Sequence, residues 1–391
     1  MIPLMKSTFL NEKETLKDLA NYLLQADKLS MGKQCALFEK EFSEFQGSKD
    51  AILFNSGGSA NLAMLQALKN LGKLKSGDKI GFSALTWSTN VMPIIQLGFI
   101  PVPVDCDPIT LNVMSSNLLK RLDETELQAF FSTNVLGFAG DLGIIRDICN
   151  KKGIIFIEDN CEALGTNLTD GKTGSFGSMA SFSFFVAHHM STIEGGMVCT
   201  SDEDLSDMLK IVRANGWDRN LSAAKQHAWR KKHHIESEFL AKYTFYELGY
   251  NFKPTEIIGF IGKKQLKLLD ENISKREKNY SQLESVVKTN SDLIMIDRSH
   301  ISLLSSFAFP VLANNKELRD YYVSQFSGAG VEIRPMIAGD MQSQPFYKKY
   351  VSQVYDIPGT SQIHDSGFYC GNYSELTNQD IQTISSCLTK Y

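Results

Sequence analysis

Residues 51–71 read AILFNSGGSANLAMLQALKNL and contain the pattern that decides the fold of this chain. The apolar run 51–54 is typical of a buried strand, and the Gly-Gly pair that follows it is typical of a turn. From residue 60 onward the pattern changes, because Leu62, Leu65 and Leu68 recur at the spacing of one helix face. The stretch therefore predicts a strand, a tight turn and a helix, which together form one β–α unit.

Similar units follow as far as residue 210. Further apolar or β-branched runs are predicted to be strands at Lys79–Phe82, Phe99–Val104, Ala129–Thr133, Ile154–Glu158 and Ser181–Val186. A second amphipathic helix is predicted over 142–152. Strands that alternate with helices are typical of an α/β fold around a mostly parallel sheet. In such a fold the ligand lies beyond the carboxyl ends of the strands.

A different pattern begins near residue 256. A long helical pattern over 256–285 is followed by two predicted strands, 307–312 and 330–333. We therefore predict a large domain over residues 1–255, which includes an N-terminal helical segment, and a smaller C-terminal α+β domain over residues 256–391.

Composition excludes several classes of protein. The chain has 391 residues, of which 43% are hydrophobic and 21% charged, and its net charge is −4. It contains no long basic stripe, which argues against a nucleic-acid partner. The first residues, MIPLMKSTFLNEKE, lack the apolar core of a signal peptide, and no run approaches the ~18 apolar residues that a membrane helix needs. We expect a cytoplasmic enzyme without a membrane partner.

The cysteines argue against a metal centre. All 7 occur singly and none forms a CxxC pair, which is not the pattern of a zinc site or a disulfide framework. No cysteine lies between Cys199 and Cys370, and an iron–sulfur cluster needs several thiolates. The sequence therefore predicts neither a metal site nor an iron–sulfur cluster.

Polar residues follow several predicted strands, where this fold places its ligand. Ser56 and Gly57 begin a helix, and a helix N-terminus attracts phosphate, although a Gly-Gly pair is more often only a turn. Asp159 ends a buried strand, where it either caps the next segment or faces a ligand. Trp87 follows another strand, where it is either a structural residue or a stacking surface.

Residues 181–196, SFSFFVAHHMSTIEGG, hold the other candidate group. In a strand, Ser181 and Ser183 would share one face and the intervening phenylalanines the other. His188 is followed by His189, and adjacent side chains on an extended chain point apart, which argues against a two-histidine metal clamp. A lone histidine is most often a packing or surface residue.

As a set, these motifs resemble the DegT/DnrJ/EryC1/StrS family of pyridoxal-phosphate (PLP) sugar aminotransferases. The window around His188 resembles the family's SFHPTKNITTGEGG, and residues 56–61 match its SGTAAL loop. Residues 157–165 resemble VEDAAQALG. Residues 249–256 resemble GYNYRMTE, and residues 330–345 resemble GIxxRPxxxGNxxxQP. The resemblance covers nearly the whole chain and implies the fold of PLP-dependent aminotransferases of fold type I.

The resemblance also implies roles for individual residues. The implied cofactor-binding residues are Ser56, Gly57, Trp87, Asp159, Glu162, Ser183 and Asn251. The implied substrate-binding residues are Arg219, Lys253 and Arg334. In the family the equivalent of Asn251 reaches the cofactor phosphate of the neighbouring subunit, which implies a homodimer with shared active sites. Lys253 replaces an arginine and lacks its bidentate fork.

His188 stands where the family has its lysine. An aminotransferase needs the lysine amine to hold PLP covalently, whereas an imidazole can only move protons. A small branch of the family, the nucleotide-sugar 3-dehydratases of deoxysugar biosynthesis, carries histidine here. Resemblance to that branch implies non-covalent PLP and pyridoxamine phosphate (PMP), with His188 as catalytic base and acid because its pKa lies near working pH.

The same resemblance implies the reactants. They are L-glutamate as the amino donor and a GDP-linked 4-keto-6-deoxy sugar, which loses its C3 hydroxyl while ammonia is released. Such enzymes give 4-keto-3-deoxy sugars, and they act in the synthesis of sugars such as colitose for the O-antigens of lipopolysaccharide. The sequence leaves open which nucleotide is bound and whether the sugar is a hexose or a longer relative.

Two alternatives remain. One is a sugar aminotransferase in which another amine replaces the missing lysine, but no lysine lies between Lys172 and Lys210. The other is a non-catalytic homologue, since fold alone does not prove activity. The second alternative is disfavoured by the joint presence of Asp159, Trp87, Ser183 and Asn251.

Overall fold

A computed structural model describes residues 1–337 and 339–390 of the chain. Its α-helices are α1 (Glu12–Gln25), α2 (Lys33–Gln46), α3 (Gly57–Asn70), α4 (Ser88–Gln96), α5 (Ser115–Glu124), α6 (Leu142–Lys152), α7 (Glu203–Arg213), α8 (Ala223–Lys232), α9 (Glu238–Ala241), α10 (Glu256–Leu266), α11 (Leu269–Val287), α12 (Lys316–Gly328), α13 (Pro345–Tyr350), α14 (Pro358–Ser366) and α15 (Asn378–Leu388). Its strands are β1 (Asp50–Phe54), β2 (Lys79–Ser83), β3 (Ile100–Val104), β4 (Ala129–Thr133), β5 (Ile155–Asp159), β6 (Asn167–Leu168), β7 (Gly171–Lys172), β8 (Met179–Ser183), β9 (Gly196–Thr200), β10 (Ile301–Leu303), β11 (Ala308–Leu312), β12 (Ile333–Pro335) and β13 (Gly367–Gly371).

A seven-stranded sheet forms the centre of the molecule, in the order β1-β9-β8-β5-β4-β2-β3. The neighbouring pairs from β8 to β3 are parallel, and only β9 runs antiparallel to its neighbours β1 and β8. Strands of a parallel sheet are covered on both faces, which is why almost all residues of these strands are buried. The predicted α/β fold with a mixed, mostly parallel sheet is confirmed.

Helices cover both faces of this sheet. On one face α3, α4 and α7 share a core with residues such as Leu65 and Phe82. On the other face α2 packs Phe38 and Phe42 against Phe182 and Phe184 of the 181–184 segment. The phenylalanines of that segment therefore face α2, so the intervening serines point towards α3, as the predicted alternation requires.

The C-terminal part contains a three-stranded antiparallel sheet in the order β11-β13-β12. Helices α12 and α14 pack against this sheet, and α12 also packs against α14 and α15. A small sheet of β10, β6 and β7 connects the two parts of the chain. The division of the chain at residue 255 stays a prediction.

The element boundaries correct three expectations. The predicted strand 181–186 ends at Ser183, where the chain turns and the His188 backbone N–H donates to the Phe185 carbonyl at 2.9 Å. The helical pattern over 256–285 forms two helices, α10 and α11. The predicted strand 330–333 begins only at Ile333, because Gly330 adopts a positive φ of 70° that is incompatible with a strand.

Among the described helices, none is both long and apolar enough to cross a membrane.

Candidate active site

A cavity of about 390 Å³ opens at the carboxyl ends of β1, β2, β4, β5 and β8. The predicted site residues that line it are Ser56, Gly57, Trp87, Asp159, Glu162, Ser183 and His188. These residues are spread over more than 130 positions of sequence, and the parallel sheet brings them to one edge. None of the described residues that line the cavity is a lysine.

The other predicted site residues do not line this cavity. The Lys253 Nζ donates to the Asn251 Oδ1 at 2.5 Å. Arg219 lines a second cavity, of about 330 Å³, with its guanidinium 5.3 Å from the centre of the Trp217 ring. Arg334 is half-exposed and pairs with Glu332 at 2.6 Å. The roles of these four residues stay predictions.

The start of α3 forms a small polar cradle. The Ser56 Oγ accepts from the Ser59 backbone N–H at 3.1 Å and donates to the Ser59 Oγ at 2.9 Å. Gly57 lies so close to β8 that a Cβ on it would stand 2.7 Å from the Ser183 Cβ. Glycine therefore keeps this space open, and backbone N–H groups at a helix N-terminus together with serine hydroxyls suit a phosphate.

Asp159 lies at the end of β5 and is almost fully buried. Its Oδ1 accepts from the Cys161 backbone N–H at 2.8 Å. Its Oδ2 accepts from the Asn61 Nδ2 at 2.9 Å and from the Asn90 Nδ2 at 2.7 Å. A carboxylate held in this way at a cavity wall can bind a protonated ring nitrogen.

Glu162 is a second buried carboxyl group in the cavity. Its Oε2 accepts from the Leu136 backbone N–H at 2.8 Å. Burial, together with the nearby charge of Asp159, raises the pKa of Glu162 to about 8. At neutral pH this carboxyl therefore carries a proton, so it can donate a hydrogen bond to an anionic oxygen of a ligand.

Trp87 lies at the rim of the cavity, at the start of α4. Its side chain is 54% exposed, which is unusual for an indole. The exposed face leaves room for a flat ring to stack on it.

His188 lies against Phe307, with 5.2 Å between the ring centres, and its Nδ1 is buried without a hydrogen-bond partner. Burial lowers the pKa of His188 to about 4, and the charge of Asp159 opposes this shift only in part. The expectation of a pKa near working pH is therefore wrong for the ligand-free protein. The imidazole is neutral at neutral pH, which is the form that accepts a proton.

The His189 side chain does not line this cavity. Its ring is buried, and Nε2 lies 2.8 Å from the Ser305 carbonyl oxygen. Over residues 1–337 and 339–390, no group of three or more histidine, cysteine, aspartate or glutamate side chains could hold a metal ion.

These features fit PLP held without a covalent bond. The cradle at Gly57 suits the phosphate, Asp159 suits the pyridine nitrogen, and the His188 Nδ1, which has no hydrogen-bond partner, is available to a ligand. When bound, this cofactor would be held by Ser56, Gly57 and Ser183 at one end and by Asp159 at the other.

Several residues near the site were not predicted. Phe307 and Tyr369 line the cavity from the C-terminal part of the chain, and no local pattern indicated them. Asn61 and Asn90 contact Asp159. Asn61 did leave a signal, because it stands where the SGTAAL loop has leucine, on a helix position that is fully buried.

Comparison with known proteins identifies one family and several relatives within it. The model of the DegT/DnrJ/EryC1/StrS aminotransferase family matches residues 10–389. A GDP-4-keto-6-deoxy-D-mannose 3-dehydratase of Yersinia pseudotuberculosis is 31% identical over 392 residues, covering 99% of this chain and 98% of the relative.

Two solved structures are similar over their full length. A GDP-4-keto-6-deoxymannose-3-dehydratase with a trapped PLP-glutamate geminal diamine is 30% identical, with a TM-score of 0.89 and 100% of both chains covered. A His-to-Asn mutant of GDP-4-keto-6-deoxymannose-3-dehydratase with bound GDP-perosamine is also 30% identical, with a TM-score of 0.90 and the same coverage.

Proposed function

This chain belongs to the DegT/DnrJ/EryC1/StrS aminotransferase family, and from that premise we propose that it is a nucleotide-sugar 3-dehydratase. It uses PLP and PMP, takes an amino group from L-glutamate, and removes the C3 hydroxyl of GDP-4-keto-6-deoxy-D-mannose. The observation that carries the proposal is His188, which lines the cavity at the place of the family's lysine. The product belongs to deoxysugar and lipopolysaccharide biosynthesis, with colitose as the expected end product.

The reaction balances without an external reductant. When bound, the cofactor would carry the amino group between glutamate and the 4-keto carbon, and it would supply the electron pair that lets the C3 hydroxyl leave. Glutamate is oxidised to 2-oxoglutarate, its nitrogen leaves as ammonia, and its two electrons reduce C3 of the sugar to a methylene.

Residues of the cavity hold the cofactor in this proposal. Ser56, Gly57 and Ser183 bind its phosphate, and Asp159 keeps its ring nitrogen protonated. Glu162 donates its proton to the 3-oxygen, which its raised pKa permits at neutral pH. Trp87 stacks on the ring from the rim. Their common position in one cavity supports these roles.

His188 moves the proton. Burial keeps its imidazole neutral, so the ring accepts a proton from the cofactor side of the cavity and later returns it. The rings of Phe307 and Phe185 lie beside it, with 5.2 and 6.3 Å between the ring centres.

We further infer that a second copy of the chain completes the site. Large apolar side chains are exposed between residues 239 and 248; Phe239 is 77%, Tyr243 78% and Leu248 71% exposed. We call these residues the 239–248 surface. Asn251 follows this surface directly and lies outside the cavity of its own chain, which supports its role at a neighbour's cofactor phosphate.

The cations outside the cavity are proposed to bind the substrate diphosphate. Arg219 and Lys253 flank the 239–248 surface in the sequence, and proximity to Arg219 contributes to a lowered pKa of Lys253 after the larger effect of burial. Arg334 pairs in register with Tyr369, which lines the cavity, so both side chains share one face of the sheet.

Cytoplasmic localisation also stays a prediction.

Substitution of His188 tests the function. His188→Asn should lower formation of the 3-deoxy sugar and ammonia by ~10² to 10⁴-fold, the usual contribution of a general acid–base. Products are measured by mass spectrometry with GDP- and CDP-linked 4-keto sugars, which also identifies the nucleotide. His227→Asn, at an exposed position, is the control and should be fully active. Near-normal product from His188→Asn would show that another residue is the base.

A second variant separates the proposal from the aminotransferase alternative. His188→Lys should let the protein hold PLP covalently, so that borohydride fixes the cofactor to the chain, while dehydration falls sharply. The wild-type protein should release its PLP on denaturation after the same treatment. Covalent labelling of the wild type would favour the aminotransferase.

A further inference from the structure

Asp159 is held by a chain of side chains from three other elements. The Ser181 Oγ of β8 donates to the Asn61 Oδ1 at 2.6 Å, and the Asn61 Nδ2 of α3 donates to the Asp159 Oδ2 at 2.9 Å. The Asn90 Nδ2 of α4 donates to the same oxygen at 2.7 Å. Asn61, Asn90 and Ser181 have no exposed surface.

The bonds leave only one direction for a ligand. A carboxylate oxygen has two lone-pair positions, and both positions of the Asp159 Oδ2 are used by the two amides. The Oδ1 accepts from the Cys161 backbone N–H, and the Cys161 thiol, a weak donor, also hydrogen-bonds Asp159, so one position stays open to a stronger donor. Rotation of the carboxylate would break bonds to both amides, so its free position stays directed at the cavity that it lines.

The link between Ser181 and Asp159 requires an amide at residue 61. Leucine, which the family's SGTAAL loop has there, offers no hydrogen-bonding atom. With leucine, the Ser181 hydroxyl would lose its acceptor and Asp159 one of its donors, and unpaired buried polar groups are costly. Asn61 uses both ends of its amide, so it links the serine to the carboxylate as one unit.

We propose that Asn61 and Asn90 are positioning residues that aim Asp159 at the ring nitrogen of the cofactor, and that cofactor retention depends on them. The inference rests on the proposed function, because it needs a PLP-type ligand in the cavity. Without a lysine, no covalent bond anchors the cofactor, so the contact with Asp159 carries a larger share of its binding. A variant in which the Asp159 carboxylate is displaced should therefore bind PLP with a higher dissociation constant.

The first test is the dissociation constant of PLP. Asn61→Leu, which nearly conserves volume, should weaken PLP binding about 10-fold or more, as expected when a hydrogen bond to a charged group is lost. Asn90→Leu, on a different helix, should weaken PLP binding similarly. The test can therefore be made with either variant if only one of them folds. The absorbance of bound PLP should also shift, because ring protonation depends on Asp159. Circular dichroism and thermal unfolding of the cofactor-free variants report on folding.

Two further proteins distinguish lost contacts with PLP from misfolding: a matched control variant, and a variant that holds PLP covalently. Asn150→Leu changes an exposed asparagine on α6, away from the cavity, and should leave PLP affinity unchanged. In the His188→Lys background, where the cofactor is anchored covalently, Asn61→Leu should cost much less retention than it does alone.

The outcomes are distinct. A folded Asn61→Leu or Asn90→Leu protein that binds PLP as the wild type does, with the same spectrum, would overturn the positioning role. An equal loss in the His188→Lys background would assign the effect to folding and would also overturn it. Failure of the wild type itself to bind PLP would instead refute the proposed function.

Discussion

Replacement of Glu162 by glutamine should change how the stability of the protein depends on pH. The substitution keeps the shape of the side chain and one oxygen to accept from the Leu136 backbone N–H, but it removes the titrating group. Burial raises the pKa of Glu162 from 4.5 to about 8, whereas in the unfolded chain the carboxyl ionises normally.

The sign follows from the raised pKa. Between pH 4.5 and about 8 the folded protein keeps a proton that the unfolded chain releases, so the free energy of unfolding falls as pH rises. The contribution of Glu162 is fully present below pH 4.5 and lost by about pH 8. The rise in pKa from 4.5 to about 8 corresponds to about 5 kcal/mol of unfolding free energy.

The assay is equilibrium urea unfolding of the cofactor-free protein at a fixed protein concentration, from about pH 5 to about pH 8. Relative to Glu162→Gln, the wild type should lose about 4 kcal/mol of unfolding free energy over this range. Glu126→Gln removes an exposed carboxyl and is the control, which should track the wild type. A constant difference between the wild type and Glu162→Gln would mean that Glu162 is ionised in the folded protein. Its proposed role as a proton donor to the cofactor would then be refuted.

Three further predictions follow from the site and its surroundings. The enzyme should turn over with L-glutamate as sole co-substrate, and a strict requirement for an added reductase would contradict the proposed reaction. Sedimentation velocity should show a dimer that Tyr243→Asp, on the 239–248 surface, dissociates with loss of activity, whereas a fully active monomer would refute the shared site. Gly57→Ala should lower the free energy of unfolding by ~1 to 3 kcal/mol in urea and weaken PLP binding, because its Cβ would meet the Ser183 Cβ at 2.7 Å. Gly328→Ala, at the end of α12 where nothing lies within 4 Å of the added methyl group, is the control and should neither lower the free energy of unfolding nor weaken PLP binding.

The central sheet and the place of the site could be predicted from the sequence. The runs at 79–82, 129–133 and 154–158 are short, apolar and followed by polar residues, and each forms a strand within one residue of its predicted bounds. Such patterns depend on near neighbours along the chain, so they are visible without tertiary structure. The boundary errors fell where a turn or a positive φ ends an element, as after Ser183 and at Gly330.

The sequence by itself determined that His188 stands at the place of a lysine and that Asp159 ends a buried strand. Only the tertiary structure decided how these groups behave. The pKa values of His188 and Glu162 depend on how much water the whole fold removes from them. The partners of Asp159 come from α3 and α4, 98 and 69 positions away in the chain. Solvation and long-range hydrogen bonds are properties of the assembled fold, so no local pattern encodes them.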